Sequence, residues 1–119
     1  MDTCWTNVEN GAIWRLRVDG PHLNGAQVER LREEMRKATS AGALGFIIDL
    51  QGIDHLDPLG MARLAMLPQD VTPPVRIALA ALRPEVQEEA LLVHLHDILD
   101  IYEDARAAAF DLSTPINNP

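Results

Sequence analysis

The stretch Gly45-Phe46-Ile47-Ile48-Asp49-Leu50 is apolar on both of its alternating parities, the pattern of a strand covered on two sides. Val75-Arg76-Ile77-Ala78-Leu79-Ala80 repeats it. Between the two lies Asp57 to Leu67, too short for two elements and well formed as one helix. A strand, a helix and a second buried strand in succession imply a parallel crossover, with both strands central in their sheet.

The flanking chain is read around that pair. Cys4 to Val18 forms two short stretches separated by Asn10-Gly11, residues suited to the φ > 0 positions of a two-residue hairpin turn. Trp14, Leu16 and Val18 share one side and Arg15 and Arg17 the other, so the hairpin is expected to bury one face and wet its opposite. After Asp19-Gly20-Pro21 the period changes to three and four: Val28, Leu31, Met35 and Ala38 make the buried stripe of an amphipathic helix. Asn24 is its cap, Gln27 completes a capping box, and Gly42 takes the left-handed position past its end. Its charged surface includes Glu33 and Lys37 at i, i+4.

Asp57 caps the central helix, Pro58 opens it and Pro68 is expected to end it, with a proline-bearing turn over residues 69–74. Pro84 starts a third helix with Val86, Ala90 and Val93 on one stripe. A short strand at Ile98 to Tyr102 and a last helix around Asp104 to Phe110 follow. The order β-β-α-β-α-β-α-β-α predicts an α/β fold: a mixed sheet opened by an N-terminal hairpin, with about four helices packed on it. The core is expected over residues 4–110 of a single domain, with a tail at 111–119.

Composition narrows the function classes. Of 119 residues, 47% are hydrophobic and 24% charged, and no apolar run approaches the about 20 needed to cross a bilayer. Ten basic against 18 acidic side chains give a net charge of −8, which repels phosphate backbones and anionic lipid. Neither nucleic acid nor direct membrane insertion is expected. Residues 1–11 lack the pattern of a signal peptide, and Cys4, the single cysteine, has no internal disulfide partner and reads as a buried strand residue. A cytoplasmic location fits.

No reactive constellation assembles. The histidines are His22, His55, His94 and His96, and the last two are two residues apart. On a helix they point about 200° away from each other, whereas a helical ligand pair needs a spacing of three or four. Because the preceding pattern is helical, no metal site is expected, and His94 reads as a residue near a helix C-terminus. The glycines form no phosphate-binding fingerprint, and the only serines, Ser40 and Ser113, lie at a helix end and in the tail. No catalytic residue and no cofactor is assigned.

The segment Phe46-Ile47-Ile48-Asp49-Leu50-Gln51-Gly52-Ile53-Asp54-His55-Leu56-Asp57-Pro58-Leu59-Gly60 resembles the signature of the STAS domain (sulfate transporter and anti-sigma factor antagonist). That signature is an apolar strand, Asp-Leu, a short loop, an apolar residue, then Asp-Ser-Ser/Thr-Gly and an apolar helix. Asn10 to Gly20 is similar to the family's opening hairpin. Leu82-Arg83-Pro84-Glu85-Val86 resembles its Leu-Ser-Pro-Glu-Val helix start, and Leu95 to Tyr102 its following strand.

The resemblance implies a bacterial anti-anti-sigma module of signal transduction and transcription regulation. Its partners would be an anti-sigma kinase-like protein, a stress-signalling assembly or a transporter component, and a homodimer is left open. In phosphorylated members a serine or threonine immediately before the motif glycine accepts the phosphoryl group. Here Leu59 occupies that place and Pro58 the preceding serine, so the usual switch does not carry over, while Asp57 and Gly60 match. The expected partner-binding residues are His55, Asp57, Pro58, Leu59, Gly60, Arg63 and Met66, because Leu59 and Met66 leave the outer side of this helix apolar with Arg63 between them. The alternatives are a sensor binding an anion, nucleotide or lipid beside Asp49, His55 and the helix N-terminus, the STAS subunit of a transporter complex, and an enzyme using His55 with Asp54 or Asp57.

Overall fold

In the computed structural model the described residues are 3–9, 12–71 and 75–113, with residues 3–9, Asp19 and Ser113 described by their backbone alone. The Asn10-Gly11 turn, the burial of Cys4, residues 72–74 and the tail beyond 113 lie outside them. Strands β1 (Thr3–Glu9) and β2 (Ile13–Asp19) pair antiparallel. The chain continues through β3 (His22–Leu23), α1 (Gly25–Ser40), β4 (Gly45–Gly52), β5 (His55–Leu56) and α2 (Pro58–Asp70). It ends with β6 (Arg76–Ala80), α3 (Pro84–Leu92), a 3-10 turn at Leu95–Asp97, β7 (Asp100–Tyr102) and α4 (Ala105–Ser113).

The five-stranded sheet has the order β1-β2-β4-β6-β7, parallel everywhere except between β1 and β2. The two strands that are apolar on both parities are therefore interior, as their sequence requires. Alternate residues of β4 explain the two layers. Phe46, Ile48 and Leu50 join Leu31, Met35, Leu64, Leu67 and Val86 beneath α1, α2 and α3, whereas Ile47 joins Ala78, Ala80, Ala108 and Leu112 beneath α4. The first layer holds most of the large buried side chains. The second is made largely of alanines, which lets α4 lie close.

The second face of the hairpin is less wet than expected. Ile13 is buried against the α4 layer, and Arg15 reaches the buried Asp49. On the same face, towards the β6–β7 edge, Arg76 donates to the Asp111 carbonyl at 3.2 Å and the Tyr102 hydroxyl donates to the Asp111 carboxylate. Partial burial and that bond push the Tyr102 phenol from 10.0 up to about 12.

Several boundaries differ from the sequence reading. Helix α2 runs through Pro68 to Asp70, because a proline in the last turn removes only one helical donor and Val71 N–H still bonds to the Leu67 carbonyl at 3.1 Å. Helix α4 continues to Ser113 with Leu112 buried, so the chain remains packed past residue 110, where the tail was expected. On α1, Lys37 lies 3.8 Å from Glu34, while Glu33 is taken by Arg32 and Arg36.

The end of α3 differs most. The helix stops at Leu92 and His94 adopts a left-handed conformation, φ 58° and ψ 35°. That step turns Val93, expected on the buried stripe, out to 54% exposure and turns Leu95 in. His94 and His96 consequently do not share an α-helix, and the spacing argument against a shared ligand does not apply to them.

Candidate functional site

The loop between β4 and α2 is held from two sides, the β3 segment and the β6–α3 connection. Asp54 N–H and His55 N–H both donate to the Pro21 carbonyl, at 2.8 and 2.9 Å, and Asp57 N–H donates to the Leu23 carbonyl at 3.3 Å. These bonds accompany the short parallel pair β3–β5, which sets His22 beside His55 and Leu23 beside Leu56. From the β6–α3 connection, Arg83 donates to the Gln51 carbonyl at 2.9 Å and pairs with Asp54. Arg83 is the N-cap of α3 without a side-chain cap bond; its guanidinium instead fastens the neighbouring loop.

The start of α2 follows from local chemistry. Asp57 Oδ1 accepts from Gly60 N–H at 2.6 Å, satisfying one of the orphan donors of the first turn, and Pro58 is preset for the first helical position. Gly60 is required by proximity: a Cβ there would lie 2.5 Å from the Leu23 carbonyl oxygen. Gly25, at the start of α1, plays a similar part towards Leu59, whose Cγ would stand 2.7 Å from a Cβ at position 25.

Each proposed partner-contact residue can now be placed. Gly60 is buried and Asp57 half-buried at the cap, while His55, Pro58, Leu59 and Met66 are exposed, Leu59 at 56% and Met66 at 48%. Arg63, one turn along from Leu59, is drawn to α1, where its guanidinium lies 3.1 Å from Glu29. Glu29 also accepts from Arg32 at 3.0 Å, and this bond, with Arg63 adding to it, lowers the Glu29 carboxyl below its ordinary 4.5. His55 Nδ1 is 3.6 Å from Glu89 Oε1, and its ring meets His22 edge-on at 5.6 Å. The residues thus gather around the tip and outer side of α2, with Leu59 and Met66 turned outward and Arg63 tying the helix to its neighbour.

Two features were missed from the sequence. The other flank of α2 forms an apolar groove of about 300 Å³, in which Pro58, Met61, Ala62 and Ala65 face Val93, Leu95 and Ile98. The continuous run Leu91-Leu92-Val93 was its available signal, since a helix whose inward positions are Val86 and Ala90 has no inward place for all three. The second is a cleft of about 480 Å³ beyond the carboxyl ends of β4 and β6, lined by Arg15, Arg83, Arg106, Asp49, Glu103 and Asp104 among others. Asp49, 1% exposed, accepts from Arg15 Nη2 at 2.5 Å and from Gln51 N–H at 3.0 Å. It belongs to this cleft on the α4 side. His55 does not line this cleft.

The family profile described as STAS domain matches residues 5–108. No curated protein matches the sequence. Among solved structures, an anti-sigma factor antagonist from Mycobacterium paratuberculosis superposes with a TM-score of 0.79 at 15% identity, covering 95% of this chain and 94% of that one. The Bacillus cell fate determinant SpoIIAA in its phosphorylated form gives 0.63 at 13% identity over 92% and 99%. The murine Solute Carrier 26 family member A9 anion transporter gives 0.68 at 17% identity, covering 85% of this chain and 18% of the transporter. At these identities the likeness is one of fold.

Proposed function

Because the chain belongs to the STAS-domain family, we propose that it is a non-catalytic regulatory module of the anti-sigma factor antagonist kind, binding a protein partner through the 51–57 loop and the start of α2 without phosphorylation there. The observation that carries this reading is Leu59: an exposed, apolar side chain in the acceptor place, on a helix tip whose fold depends on Asp57, Pro58 and Gly60 and on no hydroxyl. Leu59 and Met66 supply the apolar anchors, Pro58 and His55 the rim, and the Arg63–Glu29 pair fixes the orientation of α2. Among the described residues no helix is long and apolar enough to cross a membrane. The reading places the protein in the cytoplasm, with control exerted through the amount or state of the partner.

The test is affinity capture from the source cell with the wild type, Leu59→Asp and, as a control elsewhere on the surface, Leu44→Asp. A protein retained by the wild type and Leu44→Asp but lost with Leu59→Asp supports the reading. Equal retention by all three removes Leu59 from the interface. Incubation of the module with the captured protein and ATP is expected to leave it unphosphorylated at residues 55–66.

A second reading, small-anion sensing, has the arginine-lined cleft behind it. Arg106 has no partner among the described residues, while Arg15 and Arg83 are already paired with Asp49 and Asp54. A ligand at 100 times its dissociation constant would add about 2.7 kcal/mol of stability in a thermal-shift screen. Absence of any shift with nucleotides, lipid headgroups and small anions favours the partner-binding module.

A further inference from the structure

The turn that ends α3 gathers three side chains with metal-ligating atoms. The left-handed step at His94 and the 3-10 turn that follows bring the His94 and His96 rings to one side, with centroids 5.7 Å apart and planes inclined by 30°. Asp97 reaches both: one carboxylate oxygen is 3.4 Å from His94 Nδ1 and the other 3.6 Å from His96 Nε2. One ligand atom from each residue lies within 4.8 Å of the other two, and no other such triplet occurs among the described residues.

A tetrahedral ion with ligand bonds of about 2.0–2.1 Å holds its ligand atoms about 3.3 Å apart. The two imidazole–carboxylate contacts use different oxygens of Asp97, so closing the triplet around one ion takes rotation of the exposed side chains, whose ligand atoms already lie within 4.8 Å of one another. Leu95, buried between the two histidines, pins the turn to the core, so the backbone holding the ligands is fixed before any ion arrives.

We propose that His94, His96 and Asp97 form a surface site for a late first-row divalent metal ion, with Zn²⁺ the expected occupant. Two imidazoles and one carboxylate are a borderline donor set that suits Zn²⁺, Co²⁺, Ni²⁺ or Cu²⁺ better than Mg²⁺ or Ca²⁺. All three side chains are exposed, so the remaining coordination positions belong to water or to a donor from another molecule. The turn also carries Val93, Leu95 and Ile98, one wall of the groove against α2. A bound ion would therefore stiffen that wall.

Isothermal titration of the full chain with Zn²⁺, together with visible ligand-field spectra of the Co²⁺ form, tests the site. One ion per chain is expected. In the variant combining His94→Gly with His96→Ala, affinity should fall on the order of tenfold or more, since loss of mere supporting groups around a metal already costs that much. Glycine at 94 keeps the left-handed backbone, so this variant is expected to fold. Asp97→Asn should weaken binding and change the Co²⁺ spectrum, whereas His22→Ala with His55→Ala should leave both unchanged. Zinc binding that survives loss of His94 and His96, that disappears with His22 and His55, or that is absent from the wild type overturns the proposal.

Discussion

Helices α1 and α2 lie on the same face of the sheet, and both begin at a side-chain cap, Asn24 in one and Asp57 in the other. Their inner stripes are equivalent: Val28, Leu31 and Met35 are buried on α1, Leu64 and Leu67 on α2. Their outer surfaces are not. Helix α1 carries Arg30, Glu33, Arg36 and Lys37 outward, as a layer helix facing water should, whereas α2 presents Leu59, Ala62 and Met66. The fold needs only the inner stripe, so the apolar outer side of α2 is surplus to packing. An exposed leucine alone is ordinary; a helix tip and two flanks without a charged outer stripe form the kind of patch that a second protein covers.

The comparison can be broken first at the buried stripes. Leu31→Ala and Leu64→Ala are expected to cost similar amounts, about 3 kcal/mol each, measured by urea denaturation. A loss below about 1 kcal/mol for Leu64→Ala would mean that α2 is only loosely part of the core. On the outer surfaces the two helices should diverge. Leu59→Asp is expected to weaken partner binding by about 2 kcal/mol or more while leaving stability within about 0.5 kcal/mol, and Arg36→Ala on α1 should change neither.

The caps provide the next smaller effect. Asn24→Ala and Asp57→Ala should each cost about 1 kcal/mol, with the partner affected only by the second. A thermal melt series separates cap loss from contact loss, because restored helix stability at lower temperature would rescue binding in the first case alone.

The smallest effect concerns the seam between the helices. Glu29 titrates below its ordinary 4.5, so its contribution is fully present above that value and disappears as pH falls through the lowered one. Glu29→Gln should flatten the acid limb of the stability–pH curve by a small amount, in keeping with an exposed pair. An unchanged acid limb would remove the Glu29–Arg32–Arg63 cluster from the account.

Sequence legibility follows the range of the interactions concerned. The α1 boundaries were readable because Asn24, Gln27 and Gly42 act within a few residues: the reciprocal cap bonds are 2.9 and 3.0 Å, and Gly42 has φ 107°. Asp57 and Pro58 announced α2 for the same reason. The β3–β5 pair was not readable as strands, since a two-residue parallel bridge exists only when two distant loops meet. Its trace in the sequence was an apolar residue before each cap, Leu23 and Leu56, the staple position.

The apolar outer positions Leu59 and Met66 could be found from helical periodicity, but the pairing of Arg63 with Glu29 could not, because it depends on how α2 is set against α1. At the end of α3 no glycine or proline marks the stop. The left-handed His94 is imposed by the need to bury Leu95 and Leu99 and to reach β7, so Val93 was assigned to the wrong face and the two neighbouring histidines to the wrong backbone.

Hydrogen exchange on the purified complex with the captured partner tests the central claim most directly. Binding is predicted to slow exchange of the backbone amides from His55 to Met66, with the α1 surface around Arg30 to Lys37 unchanged. Protection confined to residues 81–83 and 103–106, beside the arginine-lined cleft, with residues 55–66 unaffected, would contradict it.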